Sequence, residues 1–542
     1  MSIKEMRMIL NILVSGFMIM PLLSCANLDF HSNENYVGPK KTFVSSERQK
    51  SNNLFLPNKK FSKRESSATE HLNISIEDAI LLALENNQAF RVERLKPQIR
   101  QTFEMQERAA FDPTLSGEYS ISRESKETGE TSISKIKQTD SEFEISKFFP
   151  TGTELKLETS TDHTDSSTPG DQTSTRGGIS ITQALLRGFG AKVNLASLRQ
   201  AWFDTLASRY ELRGFAESLV AEVEKTCWDY ILAKRRIAIF TESLKLAEDQ
   251  LWETRERINV GKLAEVELYA AQAEVALRRE ALINARSDLA LTRLKLQRLL
   301  NQPSNDPWDR EISVTDKPIV SDVKLDDVAK HVQVALRWRP ELNQTRLEIE
   351  QGHLEIVKTK NGLLPVMNLF ISMGKTGYAD SFRGSLRDLD GRNYNIAGGL
   401  TFEYPINKRA VKARHKRATL SLQQSEEVLL NLTQLIEVDV RSSFIEIDRA
   451  REQVAATVST RKLQEETLRA ETEKFRVGKS TAMLVALAQR DFVSSRITEI
   501  EAVITYLKAL IDLYRLDGSL LERKGIIAPG RDPVDFVLEN KK

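Results

Sequence analysis

The chain has 542 residues, and its 78 Lys and Arg are balanced by 76 Asp and Glu for a formal charge of +2, which argues against a polyanion-wrapping protein and against nucleic acid as a partner. Only 24 Gly and 15 Pro stand beside 28% charged residues, a composition of long helices that rules out collagen-like, mucin-like and turn-dense all-β folds. No Gly/Pro-rich linker cuts residues 190–300 or 408–520, so these stretches read as rods rather than as a string of globular units.

Residues 1–25 carry Lys4 and Arg7 and then an apolar run from Met8 to Leu23, too short for a mature membrane span and read as a secretory signal. The run ends Leu22-Leu23-Ser24-Cys25, which resembles a bacterial lipobox and marks Cys25 as the candidate lipidation residue; the plainer alternative is cleavage near Ala26 with loss of Cys25. Ala26 stands where an aspartate would resemble an inner-membrane retention signal, so outer-membrane sorting is favoured. Cys227 is the other cysteine; no disulfide framework is possible after processing, and Cys227 reads as a small packer on a helix face. Residues 26–72 are polar and aperiodic, a tether that cannot bury enough surface to order itself. No helix of 18 or more apolar residues follows, so a membrane crossing must use a fatty anchor or a β-barrel.

The remainder runs nearly twice. A first repeat, 73–310, contains Ile76-Glu77-Asp78-Ala79, Phe111-Asp112-Pro113-Thr114-Leu115, Ile181-Thr182-Gln183-Ala184 and Arg257-Ile258-Asn259-Val260-Gly261-Lys262. A second, 320–520, contains Arg337-Trp338-Arg339-Pro340, Leu364-Pro365, Phe402-Glu403-Tyr404-Pro405 and Lys474-Phe475-Arg476-Val477-Gly478-Lys479, and residues 521–542 form a tail. After a short leading helix, Leu115, Gly117, Tyr119 and Ile121 alternate with polar residues as a strand with one apolar face. Phe143 with Ile145, Leu155 with Leu157 and Ile179 with Ile181 repeat the period, and Phe149-Pro150-Thr151-Gly152 turns one pair. In the second repeat 366–373 and 393–404 are the counterparts. Pro113 to Ala184 spans 71 positions against 40 from Pro365 to Pro405, so the first repeat holds 31 extra residues, room for another hairpin that either joins a barrel or lies at its rim. These strands are too few to close a wide barrel alone, which points to a barrel shared among subunits.

Long helices follow each strand block. The arm from about Lys192 to Asn259 reaches on the order of 100 Å, and Gly261, costly inside a helix, marks its reversal. Beyond it Leu268, Ala271, Val275, Arg278, Leu282 and Ala285 begin a seam with gaps of three and four that continues to Leu299; adding 217 gives Val485 to Leu516 in the second repeat. Arg278 and Glu499 interrupt the seam at non-equivalent depths. Each repeat therefore predicts a long antiparallel helical hairpin with its tip at Gly261 or Gly478.

Residues 74–520 resemble the TolC family of bacterial outer-membrane efflux proteins, with both repeats in order. Residues 183–190 are similar to the family's strand-to-helix corner, which usually has proline where Ala184 stands; Pro405 keeps it in the second repeat. The resemblance implies a mainly α fold with a membrane β-barrel part. In it, two tandem repeats of long antiparallel helical hairpins form a trimeric α-barrel, and the strands join a shared trimeric outer-membrane β-barrel. It implies a homotrimeric, passive exit duct for efflux or type I secretion, lipid-anchored in the outer membrane and extending into the periplasm. There a membrane-fusion adaptor couples it to an inner-membrane transporter. Arg257, Val260, Gly261, Phe475, Arg476, Val477 and Gly478 resemble the tip motif that meets the adaptor. Six and nine positions beyond the tip glycine the family places acidic residues at a periplasmic aperture. Here Glu267 holds one place and Ala270, Leu484 and Leu487 the others, which implies a single acidic ring and an apolar constriction; the alternative for Glu265 and Glu267 is a solvated helix face.

Enzyme signals fail. Gly188-Phe189-Gly190 lacks the third glycine and the βαβ setting of a phosphate loop, the six histidines are scattered without metal-ligand spacing, and no Gly-x-Ser-x-Gly elbow occurs. No catalytic residue, cofactor or metal is expected. The basic runs Lys408-Arg409 and 414–417 read as solvated positions near the membrane end. The competing reading is a lipid-anchored coiled-coil scaffold spanning the envelope without a channel, for which the strands would have no use.

Overall fold

The computed structural model describes residues 71–127, 133–166, 172–301, 308, 311–320 and 325–534. Cys25, the signal segment and the expected tether up to residue 70 lie outside the described residues. The first repeat begins with strand β1 (His71–Ile74), helix α1 (Ile76–Asn86) and helix α2 (Gln88–Ala109). Ser75 starts α1 with a capping box, its hydroxyl accepting from the Asp78 N–H at 3.1 Å while the Asp78 carboxylate accepts from the Ser75 N–H at 3.2 Å. Strands β2 (Thr114–Glu127), β3 (Ile133–Phe148), β4 (Thr153–Ser166) and β5 (Gln172–Ala184) follow, then the single turn α3 (Ala191–Asn194) and the hairpin α4 (Ala196–Asn259) and α5 (Val266–Leu300). Strand β6 (Glu311–Val314) lies between the repeats, and the second repeat contains α6 (Val328–Trp338), α7 (Pro340–Gly362), β7 (Val366–Ala379), α8 (Phe382–Asp388), β8 (Tyr394–Glu403) and the hairpin α9 (Arg409–Arg476) and α10 (Ala482–Leu516), followed by α11 (Leu520–Arg523).

One antiparallel sheet holds six strands in the order β2-β3-β4-β5-β7-β8. The first repeat thus gives four strands and the second two, and the hairpin expected from the 31 extra residues lies inside the sheet. The pairing aligns the alternation of every strand. One row runs Leu115, Ile145, Leu157, Ile179, Met373, Ile396 across all six, and each of these is exposed in the subunit. The adjacent row on the other face runs Ser116, Glu144, Glu158, Gly178, Gly374, Asn395. An exposed apolar face backed by a polar one, on strands of 10 to 16 residues, is the pattern of a membrane-spanning sheet.

The helices α4 and α9, 64 and 68 residues long, extend for about 100 Å each. Their return arms α5 and α10 are 35 residues each, and α2 and α7 complete the length. Asn87 donates its side-chain amide to Leu299 O and Asn301 donates to Asn86 O, both at 3.0 Å, which joins the end of α5 to the α1–α2 junction. The predicted seam is the buried one: Ala271, Val275, Leu282, Ala285, Leu296 and Leu299 are buried, as are Val485, Ala488, Ala502, Tyr506, Ala509 and Leu513. Its two interruptions are paired, Arg278 with Glu274 and Glu499 with Arg461 at 2.5 Å. One core gathers around each hairpin, and the first also takes in Ile504 and Ile511 from α10 and Leu520, Leu521, Ile526 and Ala528 from beyond it.

Two boundaries differ from the sequence reading. His71 and Leu72, assigned to the tether, belong to β1, which pairs in parallel with β6 in the interval left between the repeats. The pairing joins residues 240 positions apart, so no local periodicity announces it. The segment after 520, read as a tail, is folded against both repeats through 534: the Tyr210 hydroxyl donates to Asp532 O, and the Val534 N–H donates to Asn343 Oδ1 at 2.9 Å.

Candidate functional site

Both hairpin tips are built by the same local device. At the first, the Gly261 N–H donates to Ile258 O at 2.8 Å and the Lys262 N–H to Arg257 O at 2.8 Å; at the second, Gly478 donates to Phe475 O at 3.1 Å and Lys479 to Lys474 O at 2.8 Å. This is the helix-terminating pattern that requires a left-handed residue, and Gly261 and Gly478 adopt φ of +71° and +75°. Nothing lies within 4 Å of a Cβ placed on either glycine, so both tips have open space before them. Val260 and Val477 stand 65% and 68% exposed beside them, and Arg476 is exposed with its guanidinium on Glu473 at 3.1 Å.

Phe475 and Arg257, read as partner-facing, are used within the subunit. Phe475 is 2% exposed and packs with Ala482, Val485 and Leu263. The Arg257 guanidinium lies over its ring at 4.6 Å and is anchored to Glu253 at 2.7 Å. A cation over an aromatic face, with the ring desolvated beneath it, clamps the two tips together. The sequence pattern missed this because Phe475 matches Ile258 in a repeat alignment and betrays no contact between repeats.

The expected aperture residues sit just above the tips. Glu267 lies in the first turn of α5, half-buried, with one carboxylate oxygen sealed from solvent and without a hydrogen-bond partner in the subunit. Leu484 and Leu487, in the first two turns of α10, are 48% and 36% exposed. Ala270 borders a small cavity between the hairpins with Ala247, Gln250, Glu274, Ala482 and Gln489.

At the opposite end of the helices, residues 183–190 join sheet to helix and are tightly tied. Leu185 donates to Met367 O at 2.8 Å and the Gly188 N–H to Asn361 Oδ1 at 2.9 Å. Ala184 donates to Gly152 O at 2.9 Å, Gly190 to Thr151 O at 3.1 Å, and the Asn194 amide to Pro150 O at 2.9 Å and Gly188 O at 2.7 Å. The β3–β4 turn is thereby fastened to the corner, and Ala184 uses an N–H that a proline lacks.

Between tips and corner, α4 and α10 are stitched by Lys225–Asp512, Asp229–Lys508, Arg236–Glu501 and Glu242–Arg496. Deeper in the body Arg213 is buried against Glu217 at 3.2 Å and also donates to Gly518 O and Glu522. Burial pushes the Glu217 carboxyl up to about 8 in spite of Arg213. Cys227 is free and wholly buried, its thiol pushed up to about 12 by burial, which is the packing role expected of it. Among the described residues no helix is long and apolar enough to cross a membrane.

Comparison with known proteins gives the same architecture. The chain is 21% identical over 363 residues to the proteases secretion protein PrtF of Dickeya chrysanthemi, an alignment covering 62% of this chain and 75% of that protein. Its structure resembles the outer membrane channel CmeC of Campylobacter jejuni at a TM-score of 0.63 and 15% identity, over 83% of this chain and 89% of the other. It also resembles the open state of the Neisseria gonorrhoeae MtrE outer membrane channel at a TM-score of 0.59 and 19% identity, over 82% and 89%. The model of the outer membrane efflux protein family matches residues 79–302 and 331–519, both repeats in turn. The chain belongs to the outer membrane efflux protein family.

Proposed function

We propose that the protein is the outer-membrane exit duct of an efflux or type I secretion system, a passive conduit assembled from three copies. The observation that carries this is the six-stranded sheet, apolar on one exposed face and polar on the other, joined rigidly to two helical hairpins about 100 Å long. An envelope scaffold without a channel has no use for such a sheet. Two features support self-assembly. Among the described residues strands β2 and β8 end the sheet with unpaired edges, a condition that closure with neighbouring copies removes. The helices also carry exposed apolar stripes, Val92, Leu95, Ile99 and Phe103 on α2 and Val428, Leu435, Val438 and Ile445 on α9, at spacings suited to helix packing between copies. In this reading the strands lie in the outer membrane, Cys25 carries the lipid anchor, and the hairpins extend into the periplasm.

Val260, Gly261, Arg476, Val477 and Gly478 are the surface offered to a periplasmic adaptor that links the duct to an inner-membrane transporter. Arg257 and Phe475 hold that surface in shape. Glu267, Leu484 and Leu487 form the aperture behind it. The protein secretion role in the name of its Dickeya relative makes exported polypeptide one candidate cargo. The test is export in cells together with conductance of purified protein in planar bilayers. Gly261→Trp with Gly478→Trp abolishes export while crosslinked trimers persist, and wild-type protein conducts. Unaltered export rejects docking at the tips, and a monomer without conductance rejects the duct.

A further inference from the structure

We infer that the additional hairpin widens the membrane barrel until it matches the helical tube, giving a bore fit for a polypeptide that travels with secondary structure in place. This rests on the duct reading above and concerns what the duct passes. The two repeats supply the comparison, since the second contributes β7 and β8 and the first contributes β2 to β5. The added residues form wall. β3 and β4 are paired from Ile136 with Ser166 to Phe148 with Glu154, and each is also paired on its outer side, to β2 and to β5.

The corner is adapted to the insertion. Ala184 donates its N–H to Gly152 in the β3–β4 turn, whereas Pro405, at the matching corner, has none to give. Gly152 itself has φ +86°, and a Cβ there would meet Gly188 O at 2.3 Å. Turn and corner are thus fitted to each other, which a hairpin hanging from the rim does not require.

Geometry gives the consequence. Strands about 4.8 Å apart and tilted about 40° each occupy about 6.3 Å of circumference, so six occupy about 38 Å and four about 25 Å. Four helices abreast at 9–10 Å occupy roughly 36–40 Å. Six strands per subunit match the helices; four leave a narrowing at the membrane. For three subunits the backbone wall is about 36 Å across rather than about 24 Å, and side-chain layers of about 5 Å leave about 26 Å rather than about 14 Å. One helix, 10–12 Å wide, fills the smaller bore, and two abreast pass the larger.

The polar face fits a wide, wet lumen. Glu118 stands opposite Glu142, Glu144 opposite Glu158, and Asp140 opposite Asp162; Lys156 at 3.2 Å and Arg176 at 3.5 Å offset Glu144 and Glu158, and so dense a charged face suits contact with water. Helix α8 leaves this face clear. It is fastened by Ser385 to Thr175 at 2.6 Å, and Thr175 alternates with Ile179 and Ile181 on the apolar side.

The experiment is imaging of detergent-extracted full-length protein, with polymer exclusion in planar bilayers. We expect 18 strands in a wall about 36 Å across, and poly(ethylene glycol) roughly 20 Å in hydrodynamic diameter, the width of two helices, entering from the external side and lowering the conductance. A 12-stranded wall with β3 and β4 outside it, or exclusion of polymers above about 14 Å from that side, overturns the inference and leaves the duct standing. A filled particle overturns both.

Discussion

Replacing Phe475 with alanine tests whether the two hairpin tips behave as one unit. The ring is 2% exposed and lies among Ala482, Val485 and Leu263 with Arg257 over its face. Emptying a buried phenylalanine site costs about 3–5 kcal/mol, and loss of the cation–π contact adds about 0.5–1 kcal/mol. The cluster is small and ends at two loops, which lets it collapse in part, so about 3 kcal/mol is expected, and it is lost locally because the seams above remain intact. In amide hydrogen exchange this raises the opening equilibrium of residues 470–486 about a hundredfold. The distinguishing observation is the other tip. Leu263 and Arg257 lose their support, so residues 254–268 exchange about fivefold to tenfold faster, for about 1 kcal/mol. Phe475→Leu, which keeps an apolar side chain in the site, gives a fraction of both effects. If residues 254–268 exchange at the wild-type rate in Phe475→Ala, the clamp between the tips does not exist in solution.

Arg278→Met leaves the buried Glu274 carboxylate with only the more distant Arg490 at 3.8 Å and costs about 3 kcal/mol, seen as a lower heat-unfolding midpoint; Glu274→Leu added to it returns the midpoint close to wild type, because a well-packed apolar pair replaces a buried ion pair at little cost. Glu217 titrates near 8 when folded against an ordinary 4.5, so the folded state holds the extra proton: its stabilising share is complete below pH 4.5 and is lost as pH rises through 8. Denaturant midpoints of the wild type accordingly fall between pH 5 and pH 8, and Glu217→Gln flattens that slope. Gly261→Ala and Gly478→Ala each place a Cβ in the left-handed region without meeting any neighbour. Each costs about 1 kcal/mol, read as fraying of the last turn of α4 or α9 by hydrogen exchange.

Much of this fold is legible in the sequence because it is periodic. The gaps of three and four after Gly261 and Gly478 name the buried faces of α5 and α10, and two-residue alternation names the strands. Counting 31 surplus residues between Pro113 and Ala184 places an extra hairpin before any pairing is known. What escapes is contact between segments distant in the chain. β1 and β6 are four residues each and pair across 240 positions. The ladder from Lys225–Asp512 to Glu242–Arg496 joins the repeats through charges that read as a solvated face on either helix alone. Phe475 resembles an exposed tip residue until the other tip is laid across it. Ala184 reads as a lost proline, and its use becomes visible once Gly152 is found beneath it.

The packing of the chain's end bears on how such a subunit can be made. Leu520, Leu521, Ile526 and Ala528 fill the core built around the first hairpin, and Asp532 and Val534 bind Tyr210 and Asn343 in the two halves. The duplicated halves are therefore no longer autonomous. The part synthesised first stays unfinished until the part synthesised last arrives, and an ancestral tandem copy has become an interlocked whole in which a truncated product is left with an open core.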